Sequence, residues 1–281
     1  MKLSALVEDI QVKILQGSLD TEVTDIACDS RESKEGSLFI CISGANVDGH
    51  DFTAQVIEKG AAALVTERAV EAPEHVTVLQ VEDSRYAMAC IAAAWYGHPA
   101  DRLRVIGVTG TKGKTTTTYL VKSILENAGY KVGLIGTIET IIGEKKIPSL
   151  NTTPESHLIQ KYFSEMVEAG CDCVIMEVSS QGLKLHRTAG FIFDIGIFTN
   201  IEPDHIGPNE HESFEEYLEC KSRLLRQCRT GIVNADDEHL ERMIAGHTCR
   251  LETFGFSERA DLRAVDVKLV SGQGVLGISY R

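Results

Sequence analysis

The sequence lacks the features of a membrane protein and of a nucleic-acid-binding protein. No apolar run approaches the length of a membrane span, and the first residues show no signal-peptide pattern. Positive charge is scarce: 28 Lys and Arg residues stand against 41 Asp and Glu residues, for a formal net charge of −13. With no basic cluster to offset it, this balance argues against a nucleic-acid partner, and the missing apolar run argues against a membrane.

A disulfide framework is also missing, although the chain has eight cysteines. Cys41, Cys90, Cys171 and Cys173 lie in or beside apolar segments, where a free cysteine behaves as a small hydrophobic residue. A single residue separates Cys171 from Cys173, which is not the spacing of a zinc ribbon. We therefore expect reduced cysteines and a cytoplasmic protein.

The length of 281 residues, 43% of them hydrophobic, is enough for two domains of ordinary size. We predict an α/β fold, with a small N-terminal α/β domain over residues 1–98 and a mostly parallel sheet within residues 99–281. The boundary is placed at the Gly97-His98-Pro99 break. The first domain is predicted to open with a helix over residues 3–15.

The second domain alternates strand and helix patterns, as βαβ units do. A helix is predicted to start at Asn151-Thr-Thr-Pro154-Glu155, with proline at its first position and a threonine as its cap. Another helix is predicted over residues 236–245. The C-terminal end is predicted to form a hairpin over residues 262–280 that turns at residues 271–274.

A glycine-rich loop follows a short apolar strand, residues 105–108, and precedes a helix pattern. In Gly110-Thr-Lys-Gly113-Lys114-Thr115 the glycines let backbone N–H groups surround a phosphate, and the helix N-terminus adds partial positive charge. Lys114 would reach the β- and γ-phosphates and the Thr115 hydroxyl would bind Mg²⁺. The spacing is shorter than the usual P-loop, so the alternative is an ordinary strand–turn–helix joint with a chance lysine.

Polar residues stand where later strands end. Glu177, Ser179 and Ser180 follow one strand, and Asn200, Asp204 and His205 follow another. Since ligands of open α/β sheets bind beyond the carboxyl ends of the strands, we expect these residues to share one edge with the glycine loop. Glu177 is a candidate Mg²⁺ ligand, the alternative being a solvated strand-end carboxylate. His205 is either a metal or phosphate contact or a surface histidine.

Five motifs together resemble the Mur ligases. They are Gly110-Thr-Lys-Gly-Lys-Thr-Thr116, Asn151-Thr-Thr-Pro154, Glu177-Val-Ser-Ser180, Asn200-Ile-Glu-Pro-Asp-His205 and Tyr217-Leu-Glu-Cys-Lys221. Asp29-Ser30-Arg31 and Asp48-Gly49-His50 are similar to segments of the MurE type, which adds a diamino acid, L-lysine or meso-diaminopimelate, to UDP-N-acetylmuramoyl-L-alanyl-D-glutamate in peptidoglycan precursor synthesis. The resemblance implies a P-loop ATPase domain that is incomplete at its C-terminus.

The resemblance also implies roles for individual residues. The ATP site would comprise Gly110, Thr111, Lys112, Gly113, Lys114, Thr115 and Thr116. The uridine nucleotide and the muramoyl dipeptide would be held by Ser30, Asn151, Thr152, Thr153, Ser179 and Arg187. The Mg²⁺ ligands would be Thr115, Glu177, His205 and Lys221, the last as a CO₂-derived carbamate. The catalytic residues would be Lys114, Glu177, His205 and Lys221.

The carbamate has a physical reason. A lysine with a pKa of about 10.4 is cationic and would repel Mg²⁺, whereas addition of CO₂ to the neutral amine gives an anionic oxygen ligand. Without the family resemblance, Lys221 would be interpreted as a solvated helix lysine. The implied chemistry is attack of the substrate carboxylate on the γ-phosphate of ATP, followed by attack of the incoming amine on the acyl phosphate.

The sequence differs from the family in two respects, and two other functions are alternatives to the one that the resemblance implies. The family usually has Asn where this chain has Lys112. The resemblance also implies a third domain that is not part of this sequence, so we expect this chain to bind the substrate without ligating it. We separately expect a monomer. The residues at 204–211 resemble lysine-adding relatives more. The rivals are another ATP-dependent amide ligase, such as a folylpolyglutamate synthetase, and a nucleotide-binding module without catalysis.

Overall fold

The computed structural model describes residues 1–44, 47–208, 210–272, 275–279 and 281. It is a mixed α/β structure with two main sheets, one formed from residues 13–80 and the other from residues 104–263. The predicted α/β fold is confirmed. Within the described ranges, no helix is long and apolar enough to cross a membrane.

The first sheet has five strands in the order β1-β5-β4-β3-β2. Its strands are β1 (Lys13–Gln16), β2 (Asp25–Ala27), β3 (Ser37–Ile40), β4 (Ala63–Thr66) and β5 (Thr77–Gln80). Helices α1 (Leu3–Leu6), α2 (Thr53–Glu58) and α3 (Ser84–Trp95) accompany it. All pairs are parallel except β1 with β5. Alternate residues of β3 and β4 enter two separate apolar clusters, so both faces of this sheet are covered.

The second sheet has nine strands in the order β14-β13-β12-β11-β6-β10-β7-β8-β9. The strands are β6 (Arg104–Thr109), β7 (Val132–Ile135), β8 (Glu139–Ile142), β9 (Lys145–Pro148), β10 (Cys173–Glu177), β11 (Phe193–Phe198), β12 (Cys228–Asn234), β13 (Arg250–Gly255) and β14 (Leu262–Arg263). The helices are α4 (Lys114–Asn127), α5 (Ser156–Glu168), α6 (Ser180–Lys184), α7 (Phe214–Arg226) and α8 (Leu240–Met243). Its pairs are parallel apart from β7 with β8 and β8 with β9.

The central strand β6 explains where ligands can bind. It lies between β10 and β11, and Val105 and Ile106 point into different apolar clusters on the two faces of the sheet. With both faces covered, backbone groups at the carboxyl ends of the parallel strands form the accessible edge. That edge carries the glycine loop, Glu177 and the residues after Phe198.

The two sheet-containing parts of the chain are in contact. Helix α3 packs against α5, and the Arg85 guanidinium on α3 lies 3.4 Å from the Glu155 carboxylate at the start of α5. The Cys28 thiol approaches His157 Nδ1 to 3.7 Å. These contacts bring the end of the first sheet next to the Asn151-Thr-Thr-Pro154 segment.

Three sequence predictions about local structure are wrong. The predicted helix over residues 3–15 ends at Leu6, because residues from Lys13 onward pair antiparallel with β5, and this tertiary pairing overrides local helix preference. The predicted helix over residues 236–245 is helical only at Leu240–Met243, because Asp236 instead accepts backbone hydrogen bonds from Phe256 and Ser257.

The third wrong prediction concerns the start of α5. The helix begins at Ser156, two residues after Pro154, and its N-terminus has no side-chain cap. Thr153 is not a helix cap, because its hydroxyl donates to the Glu177 carbonyl and accepts from the Ser179 N–H. The threonine thus joins the segment to the end of β10.

One antiparallel hairpin was not predicted, and one that was predicted is shorter than expected. The pair β8–β9 was not predicted, although Gly143 at its turn has a φ of 57° that glycine adopts readily. The C-terminal hairpin predicted over residues 262–280 is confirmed only for the antiparallel strands β15 (Lys268–Gly272) and β16 (Val275–Ser279). Its first two residues, Leu262 and Arg263, instead form β14, which pairs parallel with β13 in the second sheet. Residues 273, 274 and 280 of that prediction lie outside the described residues, as does residue 209 of the 204–211 run.

Candidate functional site

The glycine loop joins β6 to α4 and needs glycine at two positions. Gly110 has a φ of 155° and Gly113 a φ of 84°, both in the region that side chains other than glycine rarely adopt. A Cβ atom at Gly110 would lie 2.0 Å from the Thr199 hydroxyl oxygen. The loop is braced by Asn200, whose carbonyl and side-chain oxygens accept from the Thr111 and Lys112 N–H groups. It therefore has one tightly supported conformation.

Two lysines converge on this loop from different helices. Lys114 Nζ donates to the Gly110 carbonyl at 2.9 Å and to the Thr111 carbonyl at 3.2 Å. Lys221 Nζ, from α7, donates to the same Gly110 carbonyl at 2.9 Å. Burial lowers the pKa of Lys114, and burial followed by the nearby Lys114 charge lowers the pKa of Lys221 well below its usual value.

Lys221 is 1% exposed, so its interpretation as a solvated helix lysine is wrong. Its ammonium also lies 4.6 Å from the centre of the Tyr217 ring. The Tyr217 hydroxyl is 3.0 Å from the Thr111 hydroxyl, which links α7 to the glycine loop a second time. A lowered pKa favours the neutral amine of a lysine, which is its reactive form.

Glu177, at the end of β10, is 1% exposed, and the interpretation as a solvated carboxylate is therefore wrong. Its two oxygens accept from the Thr115 hydroxyl, at 3.0 Å each, and from the Thr137 N–H and hydroxyl at 2.9 and 3.0 Å. A Cβ atom at Gly136 would lie 2.5 Å from a Glu177 oxygen, so glycine there permits the approach. The buried Glu177 carboxylate, next to the start of α4, offers oxygen ligands of the kind that Mg²⁺ prefers.

His205 is placed differently from the other predicted metal ligands. The side chain is 51% exposed, and among the described residues it pairs with Glu210, whose oxygen is 3.1 Å from His205 Nδ1, and with Asp204. The His205 ring centre is 6.0 Å from the ring centre of Tyr217, the residue whose ring lies next to Lys221. The structure therefore brings Thr115 and Glu177 together and leaves His205 on the surface.

A row of contacts runs from Glu177 to the first part of the chain. The Thr137 hydroxyl is 3.0 Å from that of Thr152, and the Thr153 carbonyl accepts from Arg187 at 3.0 Å. Arg187 also pairs with Glu155 at 2.6 Å. Ser179 caps α6 by accepting from the Gly182 N–H, and Asn151 is exposed beside this row.

Glu155 borders a cavity of about 640 Å³ in the first part of the chain. Ser30 lines the same cavity, together with Asp29, Arg31, Phe39, Phe52, Gln55 and Arg85. The Arg31 guanidinium lowers the pKa of Asp29 to about 2. Aromatic rings together with polar and charged groups make the cavity suitable for a ligand with a planar ring and polar substituents.

Sequence reasoning missed three residues of this arrangement. Glu155 lies within a quoted motif but was interpreted as a helix start, and Tyr217 was quoted without a role. Thr137 has no sequence signal, because its position beside Glu177 depends on β7 pairing with β10.

Lys112 is exposed in the predicted loop and pairs with Glu202 at 2.5 Å. Thr116 is also exposed.

Two family models match most of this chain. The family model described as "Mur ligase middle domain" matches residues 108–279, and the one described as "Mur ligase family, catalytic domain" matches residues 22–96. A UDP-N-acetylmuramoyl-L-alanyl-D-glutamate–2,6-diaminopimelate ligase of Clostridium acetobutylicum is 43% identical over 281 residues, which is 100% of this chain and 58% of that protein. The chain thus spans little more than half the length of this relative.

Solved structures show the same fold at lower identity. A UDP-N-acetylmuramoyl-L-alanyl-D-glutamate–2,6-diaminopimelate ligase superposes with a TM-score of 0.81 at 21% identity, covering 99% of this chain and 59% of that one. A Mycobacterium tuberculosis folylpolyglutamate synthase complexed with ADP has a TM-score of 0.53 at 13% identity, covering 69% and 50%. Both are likenesses of fold.

Proposed function

The chain belongs to the Mur ligase family, and from this premise we propose that it is the nucleotide- and substrate-binding part of an ATP-dependent ligase acting on UDP-N-acetylmuramoyl-L-alanyl-D-glutamate. The observation that carries the proposal is the continuous row of contacts from Glu177 through the Thr152–Thr153 segment and Arg187 to the cavity beside Ser30. A long substrate bound along this row would reach the glycine loop with its far end.

The ATP side of the proposal rests on the loop geometry. Residues 110–116 would hold the triphosphate, with Lys114 released from the Gly110 and Thr111 carbonyls to neutralise phosphate charge. Lys112, in a position where the family usually has Asn, would exchange its pairing with Glu202 for the phosphates.

The substrate side uses the cavity and the row of contacts. Ser30 and its neighbours would hold the uridine nucleotide, and Asn151, Thr152, Thr153, Ser179 and Arg187 the muramoyl dipeptide. The Arg187 guanidinium is already oriented by Glu155 and by the Thr153 carbonyl, so its ordering costs little on binding. Held this way, the dipeptide carboxylate would attack the γ-phosphate, ADP would leave, and the incoming amine would then displace phosphate to form the amide.

Mg²⁺ fits the oxygen donors of the buried Glu177 and the half-buried Thr115, and it would neutralise charge on the transferred phosphoryl group. Lys221 suits carboxylation by CO₂ because burial favours its neutral amine, and the carbamate would serve as a further oxygen ligand. His205 would have to turn away from Glu210 to join them.

The amino acid added is proposed to be 2,6-diaminopimelate, because that is the amino acid named in the relatives. This choice opposes the resemblance of residues 204–211 to lysine-adding relatives. The division into a substrate domain over residues 1–98 and an ATP domain over residues 99–281 is part of the same proposal, as are a cytoplasmic location and a monomeric state. Eight free cysteines are in keeping with that location.

Isothermal titration calorimetry of the chain with UDP-N-acetylmuramoyl-L-alanyl-D-glutamate tests the proposal. We expect binding that Arg187→Ala weakens at least about tenfold, since it removes a charged contact worth more than about 1.4 kcal/mol. Arg229→Ala is the matched control, because Arg229 is 72% exposed and pairs only with Asp194 among the described residues.

Two results would contradict the proposal. Binding of a folate substrate instead of the muramoyl dipeptide would favour the folylpolyglutamate synthetase alternative. Binding of ADP with no affinity for either substrate would favour a nucleotide-binding module. Measuring amide product from this chain with ATP and diaminopimelate tests separately the expectation that it does not ligate.

A further inference from the structure

A buried histidine beside the proposed site has one ring nitrogen without a hydrogen-bond partner among the described residues. His211 is 0% exposed, and its Nε2 lies 2.9 Å from the Ser180 hydroxyl. Its Nδ1 is buried and makes no hydrogen bond to any described residue. An unpaired polar atom in the interior costs about 1–3 kcal/mol, so it calls for an explanation.

The unpaired nitrogen faces two further metal-ligand side chains. Glu216 and Cys220 stand four residues apart on α7 and therefore share one face of the helix. His211 Nδ1 is 3.7 Å from a Glu216 oxygen. One ring nitrogen of His211, one Glu216 carboxylate oxygen and the Cys220 sulfur lie within 4.8 Å of one another. Cys220 is free and 1% exposed.

We propose that His211, Glu216 and Cys220 form a binding site for Zn²⁺. Imidazole nitrogen, thiolate and carboxylate are its usual ligands, and three protein ligands with an open fourth position are a known arrangement. The thiolate and the carboxylate balance the charge of the ion, with the thiol proton released on binding. Mg²⁺ prefers hard oxygen ligands and thiolate is a soft ligand, so the Cys220 sulfur separates this site from the oxygen donors at Glu177 and Thr115.

The surroundings orient these ligands. A hydrogen bond from His211 Nε2–H to Ser180 would leave the lone pair on Nδ1, the partner arrangement that metal-bound histidines usually have. The other oxygen of Glu216 pairs with Lys184 at 2.7 Å, which holds the carboxylate in place. The inference does not depend on the proposed ligase function.

Occupancy would fasten the segment that carries His205 to α7. The His211 N–H donates to the His205 carbonyl at 3.0 Å, and the Gly207 N–H donates to the His211 carbonyl at 3.1 Å. A metal at His211 would therefore also restrict the backbone that carries His205.

Titration of the purified chain with Co²⁺, followed by competition with Zn²⁺, tests the site. We expect one equivalent to bind with a thiolate-to-cobalt charge-transfer band, and excess Mg²⁺ to leave the band unchanged. Cys220→Ser should abolish the band and His211→Asn should weaken binding at least about tenfold, while Ser180→Ala should weaken it about 10–100-fold. Cys228→Ser is the matched control, since Cys228 is also free and buried.

The unmodified chain gives a test that does not depend on the folding of variants. X-ray absorption of the Zn²⁺-loaded protein should show one sulfur scatterer with nitrogen or oxygen scatterers. No stoichiometric binding, two or more sulfur ligands, or a band that survives Cys220→Ser or disappears in Cys228→Ser would each overturn the proposal.

Discussion

Replacing Gly110 by alanine tests the geometry of the glycine loop most directly. The backbone there has a φ of 155°, and the new Cβ would lie 2.0 Å from the Thr199 hydroxyl oxygen. Backbone strain of this kind costs about 1–3 kcal/mol, and forcing an atom into a packed site costs about 1–3 kcal/mol more. We expect Gly110→Ala to lower the free energy of unfolding by roughly 2–6 kcal/mol.

Gly129→Ala is the matched control. Gly129 has a φ of 93° but nothing within 4 Å of its Cβ position, so it reports backbone strain alone. We expect a loss of about 1 kcal/mol there, because the strain of about 1–2 kcal/mol is partly offset by the lower entropy of the unfolded chain. Urea unfolding followed by far-ultraviolet circular dichroism gives both values. Equal losses for the two variants would refute the reasoning.

Removing the obstructing atom should relieve the effect. Thr199→Ala alone costs about 1 kcal/mol, since its hydroxyl donates to the Lys112 and Thr109 carbonyls. With Gly110→Ala it should show a favourable coupling of more than about 1 kcal/mol, because the next atom, the Asn200 carbonyl oxygen, is 3.2 Å away. Calorimetry should show ADP affinity falling at least about tenfold in Gly110→Ala and unchanged in Gly129→Ala.

Three further predictions concern charged side chains. Glu177→Gln should keep the fold at a cost of about 1–2 kcal/mol, from weaker hydrogen bonds, and abolish the Mg²⁺ dependence of nucleotide binding in calorimetry; retained dependence would contradict the assignment. Lys221→Met should be more stable than the parent at neutral pH. The pKa of Lys221 is lowered in the folded state, so between that pKa and 10.5 the unfolded state binds more protons than the folded state. The stability of the parent therefore rises with pH. The difference in unfolding free energy between Lys221→Met and the parent, measured by urea unfolding, should shrink as pH rises. A pH-independent difference would refute this. Glu155→Gln should weaken muramoyl-dipeptide binding at least about fivefold, from the loss of charge pairing about 1 kcal/mol in size, whereas Glu165→Gln, which breaks the exposed pair with Lys145, should not.

The sequence by itself determined the elements whose cause is local. A strand, two glycines and a lysine before a helix suffice to predict the strand–loop–helix geometry of the glycine loop, because a backbone turn with positive φ depends on the residues within it. The alternation of strand and helix patterns likewise predicted the parallel sheet and placed Glu177 at its edge.

Only the tertiary structure decided what depends on distant partners. The lowered pKa of Lys221 comes from burial against a carbonyl 111 residues away, and Thr137 meets Glu177 because two strands pair. Local propensity also failed at residues 3–15 for this reason, since strand pairing outweighed it. Burial and long-range pairing arise from the whole chain. The His211 Nδ1 that makes no hydrogen bond to a described residue could therefore be recognised only once the chain was folded.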